Sequence, residues 1–357
     1  MSTQQPVLSA LDSHLTEVFG RQGLSLLGVA AADTGSEAIR ASTEYDAWIA
    51  AGYAGEMRYL QRHAPIKYRP WMLVPDCRSV LMVGLNYYRR SSAAAHQPRV
   101  ARYAWGRDYH RLLGKRLQRV ARSLAQRFPA DRFRAFTDAV PLAERYFGRQ
   151  SGIGFTGRNT LLISAEYGSW LVLGGIATTR VFSPTAPPCG SRGACPPRCR
   201  KCIEVCPTGA LLGPYRIDAS RCISYLTIEL RGSIPPQLRP ALGSWLFGCD
   251  LCQEVCPLNA RARVTAEQDF LRDRAGESPP LRDILGITTD EQFRARFAGS
   301  PLARAGRQGL LRNACVVAGN TGRHDLAELL QERSRDSDAV IAEHASWTLA
   351  VLGYDTT

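Results

Sequence analysis

A chain of 357 residues that is 45% hydrophobic has enough apolar material for two or three packed domains and too much for one small module. Its apolar runs, such as Leu26 to Ala32 and Trp170 to Leu173, fall short of the roughly 20 residues a bilayer requires, and Met1 to Ser9 has neither a basic nor an apolar signal region, so a soluble cytoplasmic protein with no membrane partner is expected. The 45 Lys and Arg against 32 Asp and Glu give a net charge of +13, which favours polyanions such as nucleic acid, although a solvated basic surface is the commoner meaning of such a balance.

Residues 1–181 read as mixed α/β. Periodicity predicts a helix over Leu11 to Phe19, a strand over Leu24 to Ala30 and a buried strand over Ser79 to Leu85. A helix follows over His110 to Gln126, with Leu113, Leu117, Val120 and Leu124 on one face and Arg111, Lys115, Arg119 and Arg122 on the other. Gly152, Gly154 and Gly157 invite a phosphate-loop reading, but no lysine-serine pair follows them, and a tight turn before a strand is preferred. From Phe182 the composition shifts to Pro, Gly and Cys, and Ser183 to Arg200 is too rich in Pro and Gly for regular structure, which opens a second domain over 182–285. Thr265 to Leu281 is a polar connection containing Ser278, Pro279 and Pro280.

The last segment, 286–357, is helical in pattern. Leu310, Leu311, Ala314 and Val317 form one stripe, Leu326, Leu329 and Leu330 a second, and Val340, Ile341, Trp347 and Val351 a third, as in short antiparallel helices of a repeat-type, all-α cap. Arg304, Arg307, Arg312 and Arg323 make its early part basic. No long heptad repeat calls for assembly, so a monomer is expected.

Eleven cysteines in a cytosolic chain point to metal binding or redox chemistry rather than disulfides, and nine of them fall between Cys189 and Cys256. Cys199, Cys202 and Cys206 precede Pro207, and Cys249, Cys252 and Cys256 precede Pro257, so each set reads C-x2-C-x3-C-P. In the bacterial ferredoxin run that spacing wraps three thiolates about one cubane and sends the cysteine before proline to the other. Cys195 is the nearest further ligand, with Cys189 the competing candidate, and Cys222 completes a count of eight. Crossed ligation gives Cys195, Cys199, Cys202 and Cys256 for one [4Fe-4S] cluster and Cys206, Cys222, Cys249 and Cys252 for the other. Four-cysteine zinc sites are the alternative, but they need no third cysteine and proline. Cys77 and Cys315 lie in apolar surroundings and read as core.

The run from Cys206 to Asn259, with RCISYLTIE and GCDLCQEVCP, closely resembles the epoxyqueuosine reductase family, as do RYAWGRDYHRLL from Arg102, TDAVPLAER from Thr137, SGIGFTGRNTLLI from Ser151 and GLLRNACVVAGN from Gly309. The resemblance implies a cobalamin-binding α/β domain, a two-cluster ferredoxin-like domain and a helical, HEAT-like cap that helps bind tRNA. It further implies reduction of epoxyqueuosine to queuosine at the tRNA wobble position, with electrons from an external donor. It makes Asp138 the proton donor, with Arg58, Tyr103, Asp138 and Ser224 in the corrinoid pocket. An acid at Asp138 needs a raised pKa, for which Val140, Pro141 and Leu142 offer an apolar setting; a helix cap is the competing use of that aspartate. Tyr109 and His110, within the first of the flanking blocks, are candidates to approach substrate or cofactor, against which an isolated histidine beside aromatics more often has a structural role.

Overall fold

The computed structural model of the protein describes residues 12–94, 96–138, 140–185 and 193–355. Its first half is built on a four-stranded sheet in the order Leu26–Ala31, Ser79–Asn86, Leu171–Thr178, Phe133–Thr137, antiparallel throughout. Alternation along the strands sends side chains to two faces. Val29, Leu81, Val83 and Ile176 pack under the Tyr109–Arg127 helix through its Leu113, Leu117, Val120 and Leu124, while Ala30, Val80, Met82 and Ala177 pack with Phe147 and Ile153 on the other side. The arginine face of the long helix is left to solvent, as its period predicts. Gly175 is required in the sheet, because a Cβ there would lie 2.3 Å from the Leu81 carbonyl.

The first helix spans Ser13–Gly20, capped by the Asp12 carboxylate on the His14 amide. The first strand starts two residues later than its pattern suggests, since Gly23 takes a left-handed φ of 69° and the chain is still turning. The glycine-rich segment is a tight hairpin, Phe155–Thr156 against Leu162–Ile163, with a left-handed turn at Gly152 and Gly154 pressed on the Ile163 carbonyl.

The cysteine-bearing region is made of single-turn helices, Lys201–Glu204 and Leu251–Glu254, and short hairpins. It is tied to the preceding region by a parallel pairing of Arg99–Val100 with Trp245–Phe247. The buried Arg102–Asp250 pair adds to this, Asp250 Oδ2 accepting from the Arg102 amide at 2.8 Å and from its guanidinium at 3.1 Å.

Three helices, Gly306–Asn320, Ala327–Arg333 and Ala339–Val351, close the chain. The stripes of the first two helices are buried at Leu310, Leu311, Ala314, Val317, Leu326 and Leu330, but the third helix turns Ile341, Ala345 and Leu349 inward and leaves Val351 51% exposed. The basic early part also needs correction. Arg312 is 0% exposed and donates to the carbonyls of Leu226 (2.6 Å), Leu230 (3.0 Å) and Gly232 (2.6 Å), while Arg304, Arg307 and Arg323 are paired with Glu229, Asp336 and Asp325. Asn313 donates alongside to the carbonyls of Thr227 and Leu246, so one turn of helix satisfies five backbone acceptors of the cysteine-bearing region.

Replacing Arg312 by methionine keeps the length of the side chain and orphans two buried carbonyls and a half-buried one. The loss expected in urea unfolding is on the order of 3 kcal/mol, and Arg323→Met at the surface is expected to cost under about 0.5 kcal/mol.

Candidate active site

The eight cysteines sort into two groups. Cys195, Cys199, Cys202 and Cys256 line one hollow together with Arg158, Asn159 and Lys201. Burial pushes the Cys202 thiol up, and the charges of Cys195, Cys256 and Cys199 push it further, so the four face one another. In the second group burial raises Cys222, Cys249 and Cys252, with Cys206 acting on Cys222, Cys222 on Cys249, and Cys222 and Cys206 on Cys252. The last cysteine of each C-x2-C-x3-C-P run therefore stands with the other run's first pair.

Among the described residues no three His, Cys, Asp or Glu close on a single-ion site. The donor set fits cubanes, which take four thiolates each. Backbone amides of Leu251 and of Leu258 and Asn259 point at Cys249 and Cys256, and Arg158 Nε is buried with no partner in the first hollow, where a cluster sulfide can accept from it. The hairpin explains that arginine: its amide donates to Cys195 Sγ at 3.3 Å and its guanidinium to the Cys199 carbonyl at 2.7 Å. Cys189 lies outside the described residues. Cys77 and Cys315 are buried core residues away from both groups.

Beside the second group opens a cavity of about 810 Å³, walled by Tyr59, Lys67, Tyr103, Tyr109, His110, Asp138, Val140–Leu142, Glu144, Ile228, Glu229 and Ser300–Arg304 without Leu302. Cys222 caps the Ile223–Ile228 helix, whose far end forms part of this wall. Tyr103 follows Arg102 in the Arg102–Ala104 turn, so the Arg102–Asp250 pair anchors it. Arg304 reaches the rim held by Glu229 at 2.6 Å.

Asp138 follows the Phe133–Thr137 strand, its side chain 57% exposed to the cavity. It does not cap the next helix, whose N-cap is Ala143. His110 Nε2 meets Asp138 Oδ2 at 3.2 Å, and His110 Nδ1 meets Asp108 Oδ1 at 2.7 Å. The upward pKa shift expected of Asp138 is not found: the hydrogen bond from His110, against burial, holds the carboxyl below its ordinary value. Burial alone would lower the imidazole, but its bonds to Asp108 and Asp138 and their charges lift it to about 9. The proton of the pair resides on His110. Glu144 is the carboxyl that burial raises, to about 7, helped by the charge of Asp138, and its Oε1 is buried with no hydrogen-bond partner. Lys67 is lowered by burial, with Glu144 opposing.

Of the four pocket residues implied by resemblance, Tyr103 and Asp138 line the cavity and Arg58 and Ser224 do not. Arg58 begins an exposed helix whose next residue, Tyr59, does line it, and Ser224 hydrogen-bonds Cys222. Lys67, His110, Glu144 and Arg304 carried no spacing signal that singled them out; His110 two positions after Asp108 was the nearest to one.

A family model described as "Epoxyqueuosine reductase QueG, DUF1730" matches residues 67–139, which hold Lys67, Tyr103, His110 and Asp138. One described as a 4Fe-4S double cluster binding domain matches 195–259, which hold all eight cysteines. The epoxyqueuosine reductase of Pseudomonas aeruginosa is 39% identical over 309 residues, spanning 85% of this chain and 84% of that one. That of Escherichia coli is 34% identical over 347 residues, spanning 95% and 89%. A crystal structure of epoxyqueuosine reductase with an epoxyqueuosine-modified tRNA-Tyr stem loop superposes with a TM-score of 0.86 at 26% identity, over 96% of this chain and 90% of that one. The Bacillus subtilis epoxyqueuosine reductase, with its catalytic aspartate loop swung out of the active site, gives 0.85 at 26% identity over the same shares.

The His110 imidazole is expected to titrate by NMR near pH 9, and Asp138→Asn is expected to bring its midpoint down toward the ordinary 6.5. Because the folded value is the raised one, the pair's contribution to stability is complete below about pH 6.5 and is lost as pH rises through about 9. An unchanged midpoint in the variant would show that Asp138 does not hold the imidazolium.

Proposed function

The chain belongs to the epoxyqueuosine reductase family, and on that premise we infer that it reduces the epoxide of epoxyqueuosine in tRNA to the alkene of queuosine. Its cofactors are two [4Fe-4S] clusters and cobalamin. When bound, the clusters supply single electrons and the corrinoid their delivery to the strained carbon–oxygen bond. The observation that carries the reading is the placing of the second cysteine group, through Cys222 and the Ile223–Ile228 helix, against a cavity whose acid-base groups converge on Asp138.

The cavity offers the corrinoid a mixed wall, Tyr59, Tyr103 and Ile228 giving apolar area and the unpartnered Glu144 Oε1 an acceptor. Converting an epoxide to an alkene removes oxygen as water and so takes two electrons and two protons. Asp138 lines the cavity and is where its hydrogen-bonded acid-base groups meet, and we assign it the transfer of proton to oxygen. Since Asp138 is ionised beside a protonated His110, the proton starts on His110 and passes across the 3.2 Å contact, Asp108 holding the ring from its other nitrogen. Arg304 and Lys67 bring positive charge to the same cavity, where tRNA phosphate or developing oxyanion charge is favoured.

We read residues 1–181 as the cobalamin-binding domain, 182–285 as the cluster domain and 286–357 as a HEAT-like cap over the cavity rim. In this reading Arg58 and Ser224 act indirectly, through Tyr59 and Cys222. The protein works as a cytoplasmic monomer that meets its tRNA and a separate electron donor in turn; among the described residues no helix is long and apolar enough to cross a membrane.

The test is anaerobic single turnover on tRNA carrying epoxyqueuosine, with iron and cobalt analysis of the same samples. About eight irons and one corrinoid per chain are expected in parent and variant alike, with turnover reduced by about 10² to 10⁴ in Asp138→Asn and by a smaller factor in His110→Gln. Asp138→Asn turning over within about twofold of the parent would end Asp138's role, and absence of corrinoid from the active parent would end the cavity assignment.

A further inference from the structure

The first cysteine group lies beneath a surface that shares no residue with the substrate cavity's wall. The hairpin formed by Leu211–Gly213 and Arg216–Ile217 holds Tyr215 at its tip, 53% exposed, with Leu212 43% exposed beside it. Tyr215 has a left-handed φ of 65°, and its amide donates to the Arg158 carbonyl at 3.1 Å. Arg158 in turn is bonded to Cys195 and Cys199, so the exposed ring is one residue removed from the cluster loop.

The cluster loop and the hairpin carry several cations. Arg198 and Arg200 flank Cys199, Lys201 precedes Cys202, and Arg216 and Arg221 lie on and after the hairpin, all exposed. The nearby acids are Glu204, 3.8 Å from Arg200, and Asp218, which is taken up by Ser220. An apolar aromatic centre beside a predominantly basic rim is the make-up of a transient protein contact, in which the rim speeds encounter and the centre gives register. The substrate base must enter the cavity, and none of these residues lines it.

We propose that this tyrosine-tipped basic face docks an acidic one-electron carrier protein of the flavodoxin or ferredoxin type, which loads the first cluster. Each reduced carrier gives up one electron and leaves oxidised by one. Two such transfers pass from the first cysteine group to the second and on to the cavity, where with two protons from solvent they turn one epoxide into one alkene and one water. The fate of the electrons rests on the reductase reading above; their entry point does not.

The experiment uses the reconstituted holoenzyme and its charge-reversed variant Arg198→Glu/Arg200→Glu/Arg216→Glu, in which none of the three side chains lines either hollow. Photoreduced flavodoxin and dithionite are compared as reductants, following the bleaching of cluster absorbance by stopped flow, and calorimetry measures flavodoxin binding. With flavodoxin, bleaching is expected to slow at least about tenfold in the variant and to lose most of its salt dependence, while bleaching by dithionite and affinity for tRNA stay as in the parent. Tyr215→Ser is expected to weaken flavodoxin binding with little change in salt dependence. Equal bleaching of parent and variant by flavodoxin would overturn the proposal, as would loss of tRNA affinity with flavodoxin unaffected, which would give the face to nucleic acid. Failure of the reductase reading looks different: clusters bleach normally, and no queuosine forms with either reductant.

Discussion

The exchange of one cysteine between two identical runs is the constraint from which the rest of this molecule follows. Cys206 leaves its own turn for the group of Cys249 and Cys252, and Cys256 leaves for that of Cys199 and Cys202, so the two single-turn helices are held side by side. Short turns of this kind bury little surface and depend on ligand bonds and on neighbours for their shape. Those neighbours are the hairpin carrying Arg158, the Arg102–Asp250 pair and the Arg312–Asn313 turn of the last domain. Each reaches in from a different part of the chain to satisfy backbone or sulfur that the turns leave open.

The same arrangement fixes the cavity. Because Arg102 is tied to Asp250 and Cys222 is the N-cap of the Ile223–Ile228 helix, segments joined to the second cysteine group bring Tyr103 and Ile228 to the wall. The sheet supplies the remaining wall through the loop after Phe133–Thr137, where Asp138 faces the opening. Charge there is arranged as a sequence of partners, Asp108 to His110 to Asp138, with Glu144 and Lys67 behind. Two neighbouring carboxyls are driven apart by their surroundings, Asp138 held below its ordinary value by a donor and Glu144 raised to about 7 by burial. That separation is the usual physical means of setting acid and base roles within one site.

Buried Arg312 and the exposed arginines near the first cysteine group carry the same formal charge in different settings. Net charge read from composition says nothing about which cations are free. Arg304, Arg307, Arg312 and Arg323 are each engaged by carboxylates or carbonyls, whereas Arg198 and Arg216 stand exposed near the first cysteine group and Arg200 meets Glu204 at 3.8 Å.

The sequence by itself determined whatever depends on short spacing: the two C-x2-C-x3-C-P runs, the helix of Leu113, Leu117, Val120 and Leu124, the buried Ser79–Asn86 strand, the tight turn at Gly152, and a family resemblance carried by long contiguous blocks. Such features are local, since residues three to seven apart meet through backbone geometry alone. Only the tertiary structure decided that His110 would meet Asp138, 28 positions away, and thereby reverse the direction of its pKa shift. It also decided that Glu144 would lose its water, that Arg312 would leave the surface and that the third helix would turn Val351 outward. These outcomes depend on desolvation and on partners brought from distant segments, and neither quantity is a property of a residue's neighbours in sequence.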